Sequence, residues 1–246
     1  MVAFIDDIQE TESHFLLHFH SPYSELVSIS LFFYIIKENI KFKNMSKIKD
    51  KILIGITGGI GSGKTEVCRQ LHKKGYKVIF ADLKAKELYK KDKKLANMVV
   101  RAFGKDILNF QGVISLSKLR EKVFASKKNF QKINALVHPV VIKHLMTEIK
   151  KTKDRIILIE SALVFDTSFY KYLDYVIMVY SNKKNRLERI MMRDGAKRSD
   201  VERIMKFQID EKYKIEKSDF IIVNNKSIQD LESDIEFLSK VLRFLK

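Results

Sequence analysis

The feature that most constrains the fold is a glycine-rich segment at residues 58–65, which directly follows a short apolar run. It consists of Gly-Gly-Ile-Gly-Ser-Gly-Lys-Thr and fits the phosphate-loop pattern G-x-x-x-x-G-K-[ST]. Glycines let successive backbone N–H groups converge on phosphate oxygens, and the helix that follows adds its positive N-terminal end. A chance glycine-rich turn would rarely place Lys64 and Thr65 at this spacing between a strand and a helix. The sequence therefore predicts a nucleoside triphosphate site.

The same pattern assigns roles inside the loop. We expect Lys64 to lie between the β- and γ-phosphates and the Thr65 hydroxyl to ligate Mg²⁺. Cys68, on the helix behind the loop, is interpreted as a buried small residue and not as a reactive thiol. The candidate nucleotide-binding residues are Gly58, Gly61, Ser62, Gly63, Lys64, Thr65 and, through its backbone N–H, Glu66.

Short β-branched apolar runs alternate with long helical stretches along the chain. Continuously apolar runs such as 156–159 are typical of a sheet that is covered on both faces. The predicted fold is α/β, a five-stranded parallel sheet flanked by helices. Strands are predicted at 52–57, 77–81, 155–160, 175–180 and 220–223, and helices at about 64–74, 82–103, 116–151, 182–213 and 228–244.

Residues 1–44 differ in charge from the rest of the chain. They carry a net charge of −3, whereas the whole chain carries +17, so the part from Met45 onward is strongly basic. Their apolar stretch, 26–36, is too short to span a bilayer, and acids precede it where a signal peptide needs basic residues. We predict that 1–44 is a dispensable extension or a misassigned start, that 45–246 is one domain without an internal linker, and that no membrane is a partner.

The positive charge and the single cysteine bear on partners and compartment. One cysteine permits no intramolecular disulfide, which favours a reducing, cytoplasmic setting. A basic surplus is typical of proteins that bind polyanions, but no RNA-binding aromatic signature or zinc finger accompanies it. We therefore expect no nucleic-acid partner, while a nucleic-acid-binding module stays the alternative from another class.

Among nucleotide-binding proteins, the chain best fits a small phosphoryl-transfer kinase. The guanine-reading motif N-K-x-D of GTPases is approached only by residues 225–228, which lack the aspartate. Translocating ATPases are usually larger and carry further signatures that are missing here. A nucleoside monophosphate kinase or another small-molecule kinase is the alternative within this class.

Two segments supply candidate catalytic residues. Asp82 follows the second strand, where its carboxylate could accept the proton of an attacking hydroxyl or cap the next helix, and its position leaves both roles open. Arg186, Arg189 and Arg193 recur at helical spacing, which predicts one cationic face. Such a face would either stabilise a transferring phosphoryl group or be a solvated basic surface.

A third segment contains the dipeptide His138-Pro139. Proline is expected to break or start a helix, which would place His138 at an irregular junction. Taken alone, such a histidine is most often structural.

Taken together, these residues resemble the dephospho-coenzyme A kinase family over about 52–225. The landmarks are 58–64, Ala81-Asp82, 103–108, Gly112, Leu119, Val123-Phe124, Asn134, His138-Pro139, Leu163, Arg189, Arg193-Asp194, Gln208, Ser218-Asp219 and Asn224.

The resemblance implies a P-loop kinase fold with a helical substrate region at about 90–150 and a mobile lid near 186–200. It implies that ATP phosphorylates the ribose 3′-hydroxyl of dephospho-coenzyme A, giving coenzyme A and ADP. Asp82 matches the family's proposed base, and Arg189 and Arg193 match its lid arginines. The segment 219–225 is expected beside the adenine. Arg120 and His138 are the candidate contacts for the acceptor.

The chain departs from the family pattern at several positions. Phe80 stands where the family usually has a second Asp, and Glu66 where it usually has Thr. Leu116 replaces a usual Arg, so one acceptor-side contact is not expected. Residues 162–166 are Ala-Leu-Val-Phe-Asp, at a position where the family usually has Pro-Leu-Leu-Phe-Glu.

Overall fold

The apolar runs of the sequence form a parallel β-sheet at the centre of the computed structural model, which describes residues 15–17, 48 and 50–245. Within these residues the sheet has six strands in the order β1-β6-β5-β2-β4-β3. All neighbouring strands are parallel. The strands are β1 (Phe15–Leu17), β2 (Ile52–Thr57), β3 (Lys77–Phe80), β4 (Ile156–Glu160), β5 (Tyr175–Tyr180) and β6 (Phe220–Val223).

The five predicted strands are confirmed, and β1 is an addition that the sequence did not indicate. It pairs with the edge of β6, with Phe15 opposite Phe220 and Leu17 opposite Ile222. The other residues of 1–44 lie outside the described part of the chain, so the interpretation of that segment as dispensable stays a prediction.

The central position of β2 determines where a ligand can enter. β2 pairs with β4 on one side and with β5 on the other, so the chain leaves β2 at the point where the strand order reverses. In open α/β sheets the helices diverge at this switch point and leave a crevice beyond the carboxyl ends of the strands. The segment that follows β2 is the predicted phosphate loop.

Helices connect the strands and cover both faces of the sheet. Three of the predicted helical stretches are divided into shorter helices. The first helix of the stretch 182–213 ends at Gly195, which adopts a left-handed conformation with φ +61°. In the other two stretches, a side chain that bonds to the backbone begins the new helix. Asp92 accepts from the backbone N–H of Leu95, and Ser126 accepts from that of Asn129. The helices are α1 (Lys64–Lys73), α2 (Ala81–Lys91), α3 (Lys93–Phe103), α4 (Leu116–Val123), α5 (Lys127–Lys151), α6 (Lys183–Asp194), α7 (Arg198–Met205), α8 (Glu211–Lys217) and α9 (Ile228–Phe244).

Helix α5 runs through Pro139 without a break, so the predicted helix boundary at that proline is wrong. Val137 and Val141, on either side of the proline, are both buried in the same apolar cluster, and this packing stabilises the helix across it. Because proline has no N–H, the carbonyl of Ala135 lacks its helical donor.

The two faces of the sheet carry separate apolar cores. Even-numbered residues of β2, such as Ile54, pack with α1 and α9 on one face, whereas Leu53 packs with α2, α3 and α5 on the other. This alternation is what a strand with two buried faces requires. Cys68 is buried in the first core, and burial raises the pKa of its thiol well above the ordinary value, as its interpretation as a core residue predicts. In the described part of the chain, we find no helix with the length and apolar character to cross a membrane.

Candidate active site

The phosphate loop has the predicted setting, between the end of β2 and the start of α1. Its apex is held by side chains from two later segments, the helix α6 and the bend that follows α7. Arg186 Nε of α6 donates to the carbonyl of Ile60 at 3.0 Å, and the Ile60 N–H donates to Oε1 of Gln208 at 2.9 Å. Arg186 is buried and also pairs with Glu211 of α8. The loop is therefore braced from outside, which the motif itself does not reveal.

Lys64 faces two carboxylates at the mouth of the loop. Its Nζ lies 3.9 Å from Oδ2 of Asp82 and 3.8 Å from Oε1 of Glu160. Thr65 Oγ1 donates to the same Glu160 oxygen at 2.9 Å. The structure thus brings together three of the predicted residues, Lys64, Thr65 and Asp82.

Glu160 is a residue that the sequence reasoning missed. It is the last residue of β4, and its side chain is 3% exposed. Burial raises the pKa of its carboxyl group, as does the charge of Asp82, while Lys64 and the hydrogen bond from Thr65 oppose the rise. The available signal was an acid at the carboxyl end of an otherwise apolar strand, because such residues are rarely buried without a partner.

Asp82 is the second residue of α2 and does not cap it, so its interpretation as an N-cap is wrong. The helix begins at Ala81 directly after β3, which leaves Asp82 inside the first turn. Its Oδ2 accepts from the Ala162 N–H at 3.3 Å while also facing Lys64. Phe80, which replaces a family carboxylate, packs against the apolar core. Asp82 is therefore the acid that α2 contributes to this site.

The three arginines of α6 do not converge on one point. Arg189 donates to Ser181 Oγ at 3.2 Å and to the Asn224 carbonyl at 3.0 Å. Asn224 in turn donates from Nδ2 to the Ser62 carbonyl at 2.8 Å, which ties the end of β6 to the loop. Arg193 is exposed and pairs with Asp194. The expected single cationic face is therefore wrong for Arg186, which braces the loop, and the lid roles of Arg189 and Arg193 stay predictions.

A cavity of about 1100 Å³ lies between α5 and the segment 203–209. His138 lines it, and within the described residues its buried Nε2 has no hydrogen-bond partner. Burial lowers the pKa of His138 to about 4, against the charge of Asp82, so the ring is neutral near pH 7. The other lining residues include Phe130, Phe207, Gln208, Asn134, Asp166 and Arg203.

Arg120, the second candidate contact for the acceptor, is exposed on α4 and does not line this cavity. Its charge acts on Asp194 at the end of α6, whose pKa is lowered mainly by Arg193 and additionally by Arg120. The structure therefore places Arg120 near the tip of α6 and not beside His138.

A comparison with known families matches residues 52–230 to the profile described as dephospho-CoA kinase. The matched segment contains the loop, the carboxylates around Lys64 and the cavity. The chain belongs to the dephospho-CoA kinase family. Members of this family catalyse the ATP-dependent phosphorylation of dephospho-CoA, the final step of coenzyme A biosynthesis, and the chain is accordingly a kinase that uses ATP.

Two dephospho-CoA kinases align with most of this chain, and most of their own length is covered, which supports the assignment. The enzyme of Fusobacterium nucleatum is 36% identical over 185 residues, which are 75% of this chain and 95% of that protein. The enzyme of Arabidopsis thaliana is 32% identical over 187 residues, 75% of this chain and 81% of that protein.

Solved structures agree with the fold. A Thermus thermophilus protein superposes with a TM-score of 0.66 at 28% identity, covering 80% of this chain and 98% of that one. The dephospho-CoA kinase of Campylobacter jejuni gives a TM-score of 0.51 at 26% identity with the same coverages. The predicted P-loop kinase fold is confirmed.

Proposed function

We propose that this chain transfers the γ-phosphoryl group of ATP to the ribose 3′-hydroxyl of dephospho-CoA, giving coenzyme A and ADP. The observation that carries the proposal is the position of Lys64. It lies in a phosphate loop, faces Asp82 and Glu160 at 3.8 to 3.9 Å, and belongs to a site bordered by a cavity large enough for an extended acceptor. These residues lie in the segment that matches the dephospho-CoA kinase family.

The loop supplies the nucleotide end of the site. Backbone N–H groups from Gly58 to Glu66 and the N-terminus of α1 would bind the phosphates, with Lys64 beside the β- and γ-phosphates. Asn224 holds the Ser62 carbonyl, which supports the proposal that 219–225 lies near the adenine.

Thr65 and Glu160 fit a Mg²⁺ site. Their oxygens are adjacent, with Thr65 Oγ1 and Glu160 Oε1 at 2.9 Å, and both are hard donors of the kind that Mg²⁺ prefers. Kinases commonly bind this ion through one or two carboxylates together with substrate phosphates. When bound here, Mg²⁺ would neutralise charge on the phosphates. Glu160 orients the Thr65 hydroxyl in either case.

We assign the acceptor to the cavity beside α5. The charge of Asp82 acts on the pKa of the His138 imidazole, so the proposed base lies near the wall of the cavity that His138 lines. The neutral His138 ring and the Ala135 carbonyl, freed by Pro139, can hydrogen-bond to the acceptor. Arg120 would contact it at the tip of α6. On this assignment, 90–150 is the substrate region and 186–200 is the lid that carries Arg189 and Arg193.

In the transfer step, Asp82 accepts the proton of the attacking hydroxyl while Lys64 neutralises charge on the phosphoryl oxygens. A base of this kind contributes roughly 10²–10⁴-fold. Alignment and charge neutralisation contribute more, because phosphoryl transfer leaves the protein little covalent chemistry to perform.

The deciding experiment measures ADP release by the purified chain with dephospho-CoA and with a panel of nucleoside monophosphates. Rapid turnover with dephospho-CoA supports the proposal, and turnover only with a monophosphate would refute it. Asp82→Asn should lower kcat and kcat/KM by similar factors while ATP affinity survives. Glu87→Gln, an exposed acid on the same helix, is the matched control and should leave both unchanged.

We also propose that the chain acts in the cytoplasm on these small molecules, without a nucleic-acid or membrane partner. The single buried Cys68 supports the compartment, and the lack of an RNA-binding aromatic signature or zinc finger in the sequence, despite its basic surplus, supports the absence of a nucleic-acid partner. Tight RNA binding that persists at high salt would contradict it.

A further inference from the structure

Lys214 on α8 is an unusual buried cation. Its side chain is 1% exposed, and within the part of the chain that the structure describes, its Nζ has no hydrogen-bond partner. A lysine on a short surface helix usually extends its ammonium into water. Burying an ammonium without a partner costs free energy, so this position requires an explanation beyond packing.

The charges that act on Lys214 belong to residues of the proposed active site and its surroundings. Burial lowers the pKa of Lys214 to about 8, and four charges act on it: Asp166 and Asp82 raise the pKa, whereas Lys64 and Arg186 lower it. The ammonium is therefore within electrostatic reach of both the loop lysine and the proposed base. Oδ2 of Asp166 is likewise buried and has no hydrogen-bond partner among the described residues. Asp166 also lines the acceptor cavity.

Contacts on both sides hold α8 in this position. Glu211, three residues before Lys214, pairs with Arg186, which holds the Ile60 carbonyl of the loop. Tyr213 packs edge-on against Phe165, with ring centroids 6.1 Å apart, beside Asp166. The helix thus bridges the phosphate loop and the segment that follows β4, and Lys214 is enclosed between them.

Lys214 also differs from the other two cations at this centre. Lys64 has Asp82 and Glu160 within 4.0 Å, and Arg186 has Glu211. Among the described residues, no carboxylate lies that close to the Lys214 ammonium. Lys214 is therefore a buried cation without such a carboxylate partner among the described residues, and it can interact with new negative charge in addition to Lys64. The anions that reach this centre are phosphate groups.

We propose that Lys214 is a further catalytic residue, whose ammonium binds the oxygens of the phosphoryl group in transfer. Between turnovers the charge of Asp166 acts on the ammonium from beyond ion-pair distance. The assignment rests on the proposed function. A cation in this place stabilises the charge that spreads over the equatorial oxygens, and it acts most strongly when water is excluded.

Lys214→Met tests this assignment, because methionine keeps the length of the side chain and removes its charge. We expect kcat for dephospho-CoA phosphorylation to fall roughly 100-fold, the effect typical of removing one donor to a developing charge, while both KM values stay within about threefold. The melting temperature should not fall, since an unpaired buried charge is removed. Lys212→Met, an exposed lysine of the same helix, is the matched control and should keep wild-type turnover.

The experiment must distinguish two phosphate groups that Lys214 could bind, the phosphoryl group in transfer and the diphosphate of the acceptor. A raised KM for dephospho-CoA with unchanged kcat would show that Lys214 binds the diphosphate of the acceptor, and it would overturn the proposal. Lys214→Gln serves as a second neutral variant if the methionine variant does not fold, and wild-type kcat in either folded variant also overturns it. An inactive wild-type chain refutes the proposed function together with this assignment, whereas an active wild type with an active variant refutes the assignment alone.

Discussion

The substitution Gly61→Ala tests whether the phosphate loop depends on its contact with α6. Gly61 has φ +80°, a left-handed conformation that costs an alanine about 1–2 kcal/mol. An added Cβ would also lie 2.7 Å from the carbonyl oxygen of Arg186 and 2.9 Å from the side chain of Ile190. The Ile190 side chain can move, but the Arg186 carbonyl is part of the backbone of α6. The loop itself must therefore shift.

A shift of the loop moves the N–H groups that would bind phosphate. We expect ATP affinity, measured by isothermal titration, to fall at least tenfold, which corresponds to about 1.4 kcal/mol. Thermal unfolding of the same samples measures the accompanying loss of stability.

Gly112→Ala is the matched control. Gly112 has φ +72°, and a Cβ at this position would meet nothing within 4 Å. The backbone cost is the same, so the melting temperature should fall by roughly 2–4 °C for each kcal/mol lost, while ATP affinity stays at the wild-type value. Equal ATP affinities in the two variants would refute the reasoning, because they would show that the contact with α6 does not shape the loop.

Glu160→Gln should raise the Mg²⁺ concentration for half-maximal activity at least tenfold without lowering the melting temperature, because the charge beside Thr65 is lost; a wild-type Mg²⁺ titration would contradict this. Unfolded His138 binds a proton below pH 6.5, whereas the folded residue does so only near pH 4, so stability should fall as the pH drops through this window. Denaturant titrations should show that His138→Gln removes about 3 kcal/mol of that loss; equal pH slopes would argue against it. Cys68, whose thiol pKa is raised by burial, should react with a thiol reagent far more slowly in the folded chain than in urea, and equal rates would show that it is accessible.

The strands illustrate what can be predicted from the sequence alone. Each of the five predicted runs forms a strand within one residue of its expected ends, because continuous apolar residues at β-strand length have no alternative to burial in a covered sheet. The helices were harder to delimit. The breaks at Asp92 and Ser126 depend on side chains that bond to the backbone, and the continuity of α5 through Pro139 depends on packing against the sheet.

The residues of the site likewise divide into those that the sequence predicts and those that only the structure reveals. The phosphate loop and Asp82 could be predicted, since the loop motif and the end of a strand are local features. Glu160, which closes the other side of Lys64, could not be assigned, because its neighbour is 95 residues earlier in the chain. Arg186 and Gln208, which brace Ile60, lie still farther along the chain, at separations of 126 and 148 residues.

The sequence by itself determined that this chain forms a parallel α/β kinase with a nucleotide site after β2. Glycine spacing and apolar periodicity can be recognised because they involve residues that are close together in the chain. Only the tertiary structure decided which distant charges meet there. Strand order brings β4 beside β2 and so sets Glu160 against Lys64, while α8 buries Lys214 at the same centre. Burial then raises the pKa of Glu160 and lowers that of Lys214, and burial is a property of the folded chain.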